Sequence, residues 1–148
     1  MAGITFTLRV TAPDPRAVRV SVRRQQFSIG RPLELDESSP HVSAMEYALG
    51  AAGGEVVNGL RTFAARRRLA IDAVEAIVTG ELEHGLMYLE VIGEQGTPKL
   101  ARLHIKVFVA CVDEPATREL FEQMLDRLPL VCTLRAATRV DVEWVFTV

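Results

Sequence analysis

Ser43 to Gly54 reads S-A-M-E-Y-A-L-G-A-A-G-G, and the next residue is Glu55. So many small side chains on one stretch let another backbone approach closely, and Glu55 then puts a carboxylate where packing is tightest. A carboxylate in such a place can serve as a general acid or base, or hold a cationic or hydroxylated ligand. It can equally face solvent or sit in a structural ion pair, with Arg61, Arg23, Arg24 and Arg31 as candidate partners. Helical spacing sets Glu55 beside Ala51, Ala52 and Gly59, which is not a solvent-facing set. Burying it alone would cost several kcal/mol or raise its pKa.

The other reactive groups are sparse. Cys132 and Cys111 are the two cysteines. An unpaired cysteine is most often a small buried hydrophobe, and that is the expectation for both; Cys132 as an oxidisable thiol is the alternative. His41, His84 and His104 lie far apart without HxxxH or CxxC spacing, so no metal site is expected. Glu46 stands three residues after Ser43, the spacing of a helix capping box, while His41 and Tyr47 flank the same helix start and could line a pocket. Gly30 and the Gly50/Gly53/Gly54 cluster form no phosphate loop, and no cofactor is expected.

The elements that must position these residues follow from periodicity. Ile4, Phe6, Leu8 and Val10 alternate with polar residues, predicting a strand. Pro13-Asp14-Pro15 turns the chain into a second strand, Val18 to Val22, and a third covers Gln26 to Ile29. After a polar loop from Glu34 to Pro40, a helix runs from the Ser43 cap to Arg66-Arg67-Arg68, with Met45, Leu49, Ala52, Val56, Leu60 and Phe63 at helical spacing. Strands are predicted for Ala73 to Glu83, Met87 to Ile92 and Leu100 to Ala110. Leu103, Ile105, Val107 and Val109 share one face of the last; Arg102, His104 and Lys106 share the other. Helices follow over Asp113 to Arg127 and Pro129 to Arg135, then a strand with Val140, Val142, Trp144, Phe146 and Val148 on one face. Trp144 reads as core.

That order gives an α+β fold with mostly antiparallel sheets and a long central helix. The 148 residues, 49% apolar, fit one domain spanning 1–148. A net charge of -2 with both signs interspersed argues against a nucleic-acid partner and an anionic membrane surface. No stretch is long and apolar enough for a membrane helix, Met1 to Val10 lacks a signal-peptide layout, and two cysteines make no disulfide framework, so a cytoplasmic protein is expected. The small-residue helix needs a second surface to cover it, which makes a homodimer the economical solution.

Ala44-Met45-Glu46-Tyr47-Ala48-Leu49-Gly50-Ala51-Ala52-Gly53-Gly54 resembles the central-helix motif of the OsmC/Ohr family (osmotically inducible protein C and organic hydroperoxide resistance protein), with Ala44 in place of the usual proline. Leu128-Pro129-Leu130-Val131-Cys132-Thr133-Leu134 is similar to its later C-P-V-x-N-T-L segment. The resemblance implies an intertwined homodimer and a role in oxidative-stress defence against organic hydroperoxides. It also implies that the peroxide-attacking cysteine is replaced by Glu55 and the resolving cysteine by Leu128, a degenerate active site. Neither replacement has a sulfur to oxidise. The expected role is then binding of a small, partly apolar ligand at the dimer interface, with Glu46, Tyr47, Glu55, Leu128 and Cys132 as ligand-binding candidates. Glu55 and Cys132 are the catalytic candidates, the latter as a relocated thiol for hydroperoxide reduction; a purely structural dimer is the further alternative. In family peroxidases an acidic residue near this helix start orients an active-site arginine, a second reading of Glu46.

Overall fold

The computed structural model describes residues 2–147. The chain divides into two compact units, one up to Ala48 and one from Leu49 onward.

In the first unit, β1 (Arg9–Asp14), β2 (Ala17–Val22) and β3 (Gln25–Ile29) form an antiparallel sheet in that order. The Asp14 carboxylate accepts from the Arg16 backbone N–H at 2.7 Å, fixing the expected turn at the proline pair. Arg23, at φ 55, reverses the chain into β3. The strand predicted for Ile4 to Val10 is displaced: the ladder begins at Arg9, paired with Ser21. β2 is too short to pair anything upstream, so Ile4 and Phe6 are left 83% and 82% exposed. Period-two alternation gives a residue set suited to a strand, but a strand also needs a neighbour.

The long helix α1 (Ala44–Arg66) begins at the predicted capping box: the Glu46 N–H donates to Ser43 Oγ at 3.1 Å, and the Ser43 N–H to Glu46 at 3.4 Å. It ends without glycine. Arg68 takes the left-handed conformation at φ 57, and the N–H groups of Leu69 and Arg68 return to the carbonyls of Ala64 and Ala65.

The second unit carries a sheet of order β4-β5-β6, formed by β4 (Ile71–Glu83), β5 (Lys99–Cys111) and β6 (Arg139–Thr147). β4 and β5 are antiparallel, whereas β5 and β6 are parallel, with Leu103 opposite Val140 and Val107 opposite Trp144. The sheets are thus mostly antiparallel, as expected, and periodicity, which carries no strand direction, does not specify the one parallel pairing. A parallel neighbour requires a long crossover, here supplied by α3 (Glu114–Met124) and α4 (Pro129–Arg135). The strand predicted for Met87 to Ile92 is absent. A left-handed His84 turns the chain into a one-turn helix, α2 (Gly85–Tyr88), and local bonds such as Glu90 N–H to the Met87 carbonyl consume its backbone groups.

The core forms where α1 meets this sheet and α3. Ala52, Val56, Leu60 and Ala64 make a buried i, i+4 stripe against Leu103, Ile105, Val107 and Val109 of β5. Asp113 caps α3 through the Ala116 N–H, and Thr117, Leu120, Phe121 and Met124 point inward. Trp144 stacks on Phe121 with ring centroids 3.9 Å apart, so it belongs to the core as expected. Val148, assigned to the same face, lies outside the described residues.

The opposite sheet face is ionic. Asp141 accepts from Arg102 Nε at 2.8 Å and Arg139 Nε at 2.9 Å, and Glu143 lies 3.2 Å from His104 Nε2 and 3.6 Å from Lys106 Nζ. Loss of solvation pushes the Asp141 carboxyl up, but the hydrogen bonds from Arg102 and Arg139 outweigh it and hold the group below its ordinary range. A pKa lowered by folding stabilises the protein above the unfolded value of about 4, and that contribution is lost as pH falls through the folded value. Asp141→Asn is therefore expected to flatten the acid limb of stability. Urea midpoints between pH 3 and pH 7 check this, and an unchanged slope counts against it.

Candidate functional site

Glu55 projects from the middle of α1 toward the corner where α3 gives way to α4. That corner can approach because Gly59, one helical turn on, has no side chain: a Cβ there would lie 2.6 Å from Leu128 Cδ2. Leu128 is buried at 3% exposure and occupies the N-cap position of α4 without any side-chain cap. Pro129 follows at the first helical position and has no N–H to satisfy.

The first orphan donors of α4 are therefore the N–H groups of Leu130 and Val131. Both are taken by one carboxylate: Leu130 donates to Glu55 Oε2 and Val131 to Oε1, each at 2.8 Å. A carboxylate from a distant helix thus does the work that a serine or aspartate at Leu128 would do locally. Its charge also lies at the positive end of the α4 dipole. Glu55 is half-buried, with no basic partner among the described residues. Within its own unit Glu55 is held by main chain, and Arg61 does not pair with it.

The sequence expectation for Cys132 is corrected as well. It is exposed, not buried, and its thiol donates weakly to the Leu125 carbonyl at 3.6 Å. Cys111 is half-buried at the end of β5, opposite Ile71, and both cysteines are free.

Glu55, Leu128 and the first turn of α4, including Cys132, are thus brought together. Glu46 and Tyr47 lie in the first turn of α1, nine and eight residues before Glu55 in the chain. Glu46 is exposed and completes the capping box, while Tyr47 is half-buried with its ring 5.4 Å from that of Phe27. Glu46 also borders an open cleft of about 360 Å³ with Glu34, Asp36, Glu37 and His41. There the Asp36 backbone N–H holds the Glu34 carboxyl below its ordinary range, and the Ser38 hydroxyl does the same for Asp36.

The residues missed in the sequence are Leu130 and Val131, which act through their backbone. The available signal was Pro129 preceded by apolar Leu128, a helix start with no cap of its own. Among the described residues no group of three potential ligands converges on a metal position, and no helix is long and apolar enough to cross a membrane.

No protein-family model matches the sequence, and no curated protein matches it significantly. Solved structures match over nearly its whole length. An OsmC-like protein from Mycoplasma pneumoniae superposes with a TM-score of 0.82 at 11% identity, covering 99% of this chain and 100% of its own. An organic hydroperoxide resistance protein from Elizabethkingia anophelis gives 0.72 at 12% identity, covering 99% and 100%. One from Bacillus subtilis gives 0.66 at 18% identity, covering 94% and 98%. The chain has the α+β fold of these OsmC-like and organic hydroperoxide resistance proteins.

Proposed function

We propose, from that fold, that the chain is an OsmC/Ohr family member, a single-domain cytoplasmic homodimer tied to organic hydroperoxide and oxidative-stress defence. It binds a small, partly apolar molecule at the dimer interface and lacks the family's cysteine peroxidase chemistry. The observation carrying this reading is the double hydrogen bond from Leu130 and Val131 to Glu55. A carboxylate holds the helix terminus that would stabilise a thiolate, both of its oxygens are engaged, and the nearby resolving position is the buried Leu128.

The homodimer is supported by exposed apolar surface among the described residues. Ile4, Phe6, Leu8 and Val10 alternate and are all exposed. Gly50, Gly53, Gly54 and Val57 of α1 border an open cleft of about 360 Å³ with Val74, Glu75, Ala76 and Val78 of β4, small in side chain along the helix and apolar but for Glu75, which suits a second backbone or a partly apolar ligand. Two free thiols suit a reducing compartment.

The exposure of Cys132 favours one rival, a hydroperoxide reductase built on that thiol. Against it, the thiol hydrogen is directed at the Leu125 carbonyl, and the α4 amides that could favour a thiolate are occupied by Glu55. The test is consumption of an organic hydroperoxide with a dithiol reductant by the protein and by Cys132→Ser. No turnover is expected from either; turnover that disappears in Cys132→Ser would establish the relocated peroxidase instead.

A further inference from the structure

Lys99, Arg135 and Arg139 border one open cleft of about 440 Å³ in the second unit, far apart in sequence but gathered where α4 returns into β6 beside the start of β5. We propose that this cleft binds a phosphate dianion, either as free inorganic phosphate or as the phosphate group of a monoester. The proposal stands independently of whether the protein reduces hydroperoxides.

Three cations and a single carboxylate, Glu83, line this cleft; with Asp126 and Asp141 paired to its two arginines the cluster is neutral overall, so anion binding rests on the cations' unused donors and not on net charge. Each cation is oriented by a carboxylate and keeps donors to spare. Arg139 gives Nε to Asp141, Arg135 gives one terminal nitrogen to Asp126 at 3.0 Å, and the Lys99 ammonium stands 3.5 Å from Glu83. Asp126 and Asp141 are not lining residues, so the guanidinium groups are braced by partners other than those of the cleft wall. A guanidinium with unused donors matches a phosphate's paired oxygens. Thr138, also in the wall, donates its hydroxyl to the Leu100 carbonyl at 2.7 Å and joins α4's exit to β5. The opposing elements are the carboxylates of Glu83, Asp126 and Asp141, which limit affinity.

The bland account is that Arg135 merely complements the negative end of the α4 dipole. That account requires neither Lys99 nor Arg139, both on strands, and predicts no saturable anion binding.

The test is an amide NMR titration at low ionic strength with inorganic phosphate and, separately, phenyl phosphate, against sodium chloride at matched ionic strength. Saturable shifts confined to Leu100, Ala101 and Ala136 to Thr138 are expected. Arg139→Gln and Lys99→Gln should each weaken binding about five- to tenfold, as loss of one charge-assisted contact does. Arg61→Gln, the same charge change on the exposed side of α1, should leave it within about twofold. Tighter binding of one probe than the other identifies the source of the phosphate, and either order supports the site. Shifts equal to those in chloride, or binding unaltered by both Arg139→Gln and Lys99→Gln, would overturn it.

Discussion

Glu55→Ala is expected to destabilise the protein by about 3 kcal/mol, seen as a lower urea midpoint and a thermal midpoint reduced by roughly 6–12 °C. The loss has two parts. Removing the carboxylate deletes two hydrogen bonds to a charged acceptor, each contributing about 1.5 kcal/mol or more. It also strands the N–H groups of Leu130 and Val131, and Val131 is fully buried. The absence of any side-chain cap at Leu128 leaves no substitute acceptor. Glu55→Gln tests the geometry more finely. Its carbonyl oxygen can serve one N–H, but its amide then presents a donor to the other, so it should recover less than half of the loss. Were Glu55→Ala within about 0.5 kcal/mol of the parent, as an ordinary surface substitution is, the capping role would be wrong.

Phe121→Ala is expected to cost more, about 4 kcal/mol, within the range for deleting a buried aromatic side chain. Phe121 is fully buried, stacks on Trp144, and lies 5.9 Å centroid to centroid from Phe146. It therefore ties α3 to two positions of the parallel edge strand β6 at once. Trp144 is the sole tryptophan, so its fluorescence reports the same contact that the substitution removes. An altered emission maximum should accompany the lowered urea midpoint. A stability loss below about 1.5 kcal/mol, the scale of an isosteric core change, would show that the crossover packs elsewhere.

Much of the architecture was legible because it is periodic or locally capped. The Ser43–Glu46 box, the Ala52–Val56–Leu60 stripe and the alternation of β5 each follow from residue type at fixed spacing. What was not legible depended on partners. Ile4 to Leu8 has a strand's pattern but no neighbour to pair with. Met87 to Ile92 is apolar but for Glu90, yet the left-handed His84 and Glu90 close it on itself before a ladder can form. The parallel register of β6 depends on a crossover whose direction no side-chain alternation records. At the site the limit was sharper. Sequence reading singled out Glu55 as a carboxylate in a tight place and looked for an arginine. Its partners are peptide N–H groups, present at every residue except proline and so invisible as a residue type. Cys132 was misplaced for a related reason: its burial depends on which side of a seven-residue helix meets the core, and Val131 takes that side.

The clamp on α4 also says something about time. Its two ends are separated by 75 and 76 positions in the chain, with the whole of β4, β5 and α3 between them. Contacts of such separation incur a large loop-closure entropy and form only once the intervening segments are in place. If the carboxylate meets its amides only after the rate-limiting barrier, Glu55→Ala speeds unfolding and leaves the folding rate nearly unchanged, which folding and unfolding rates measured across a urea series check. Interactions absent at that barrier leave the folding rate nearly unchanged and act by slowing the escape from the native state. Glu55 then contributes less to how readily the chain reaches its fold than to how long each molecule keeps it.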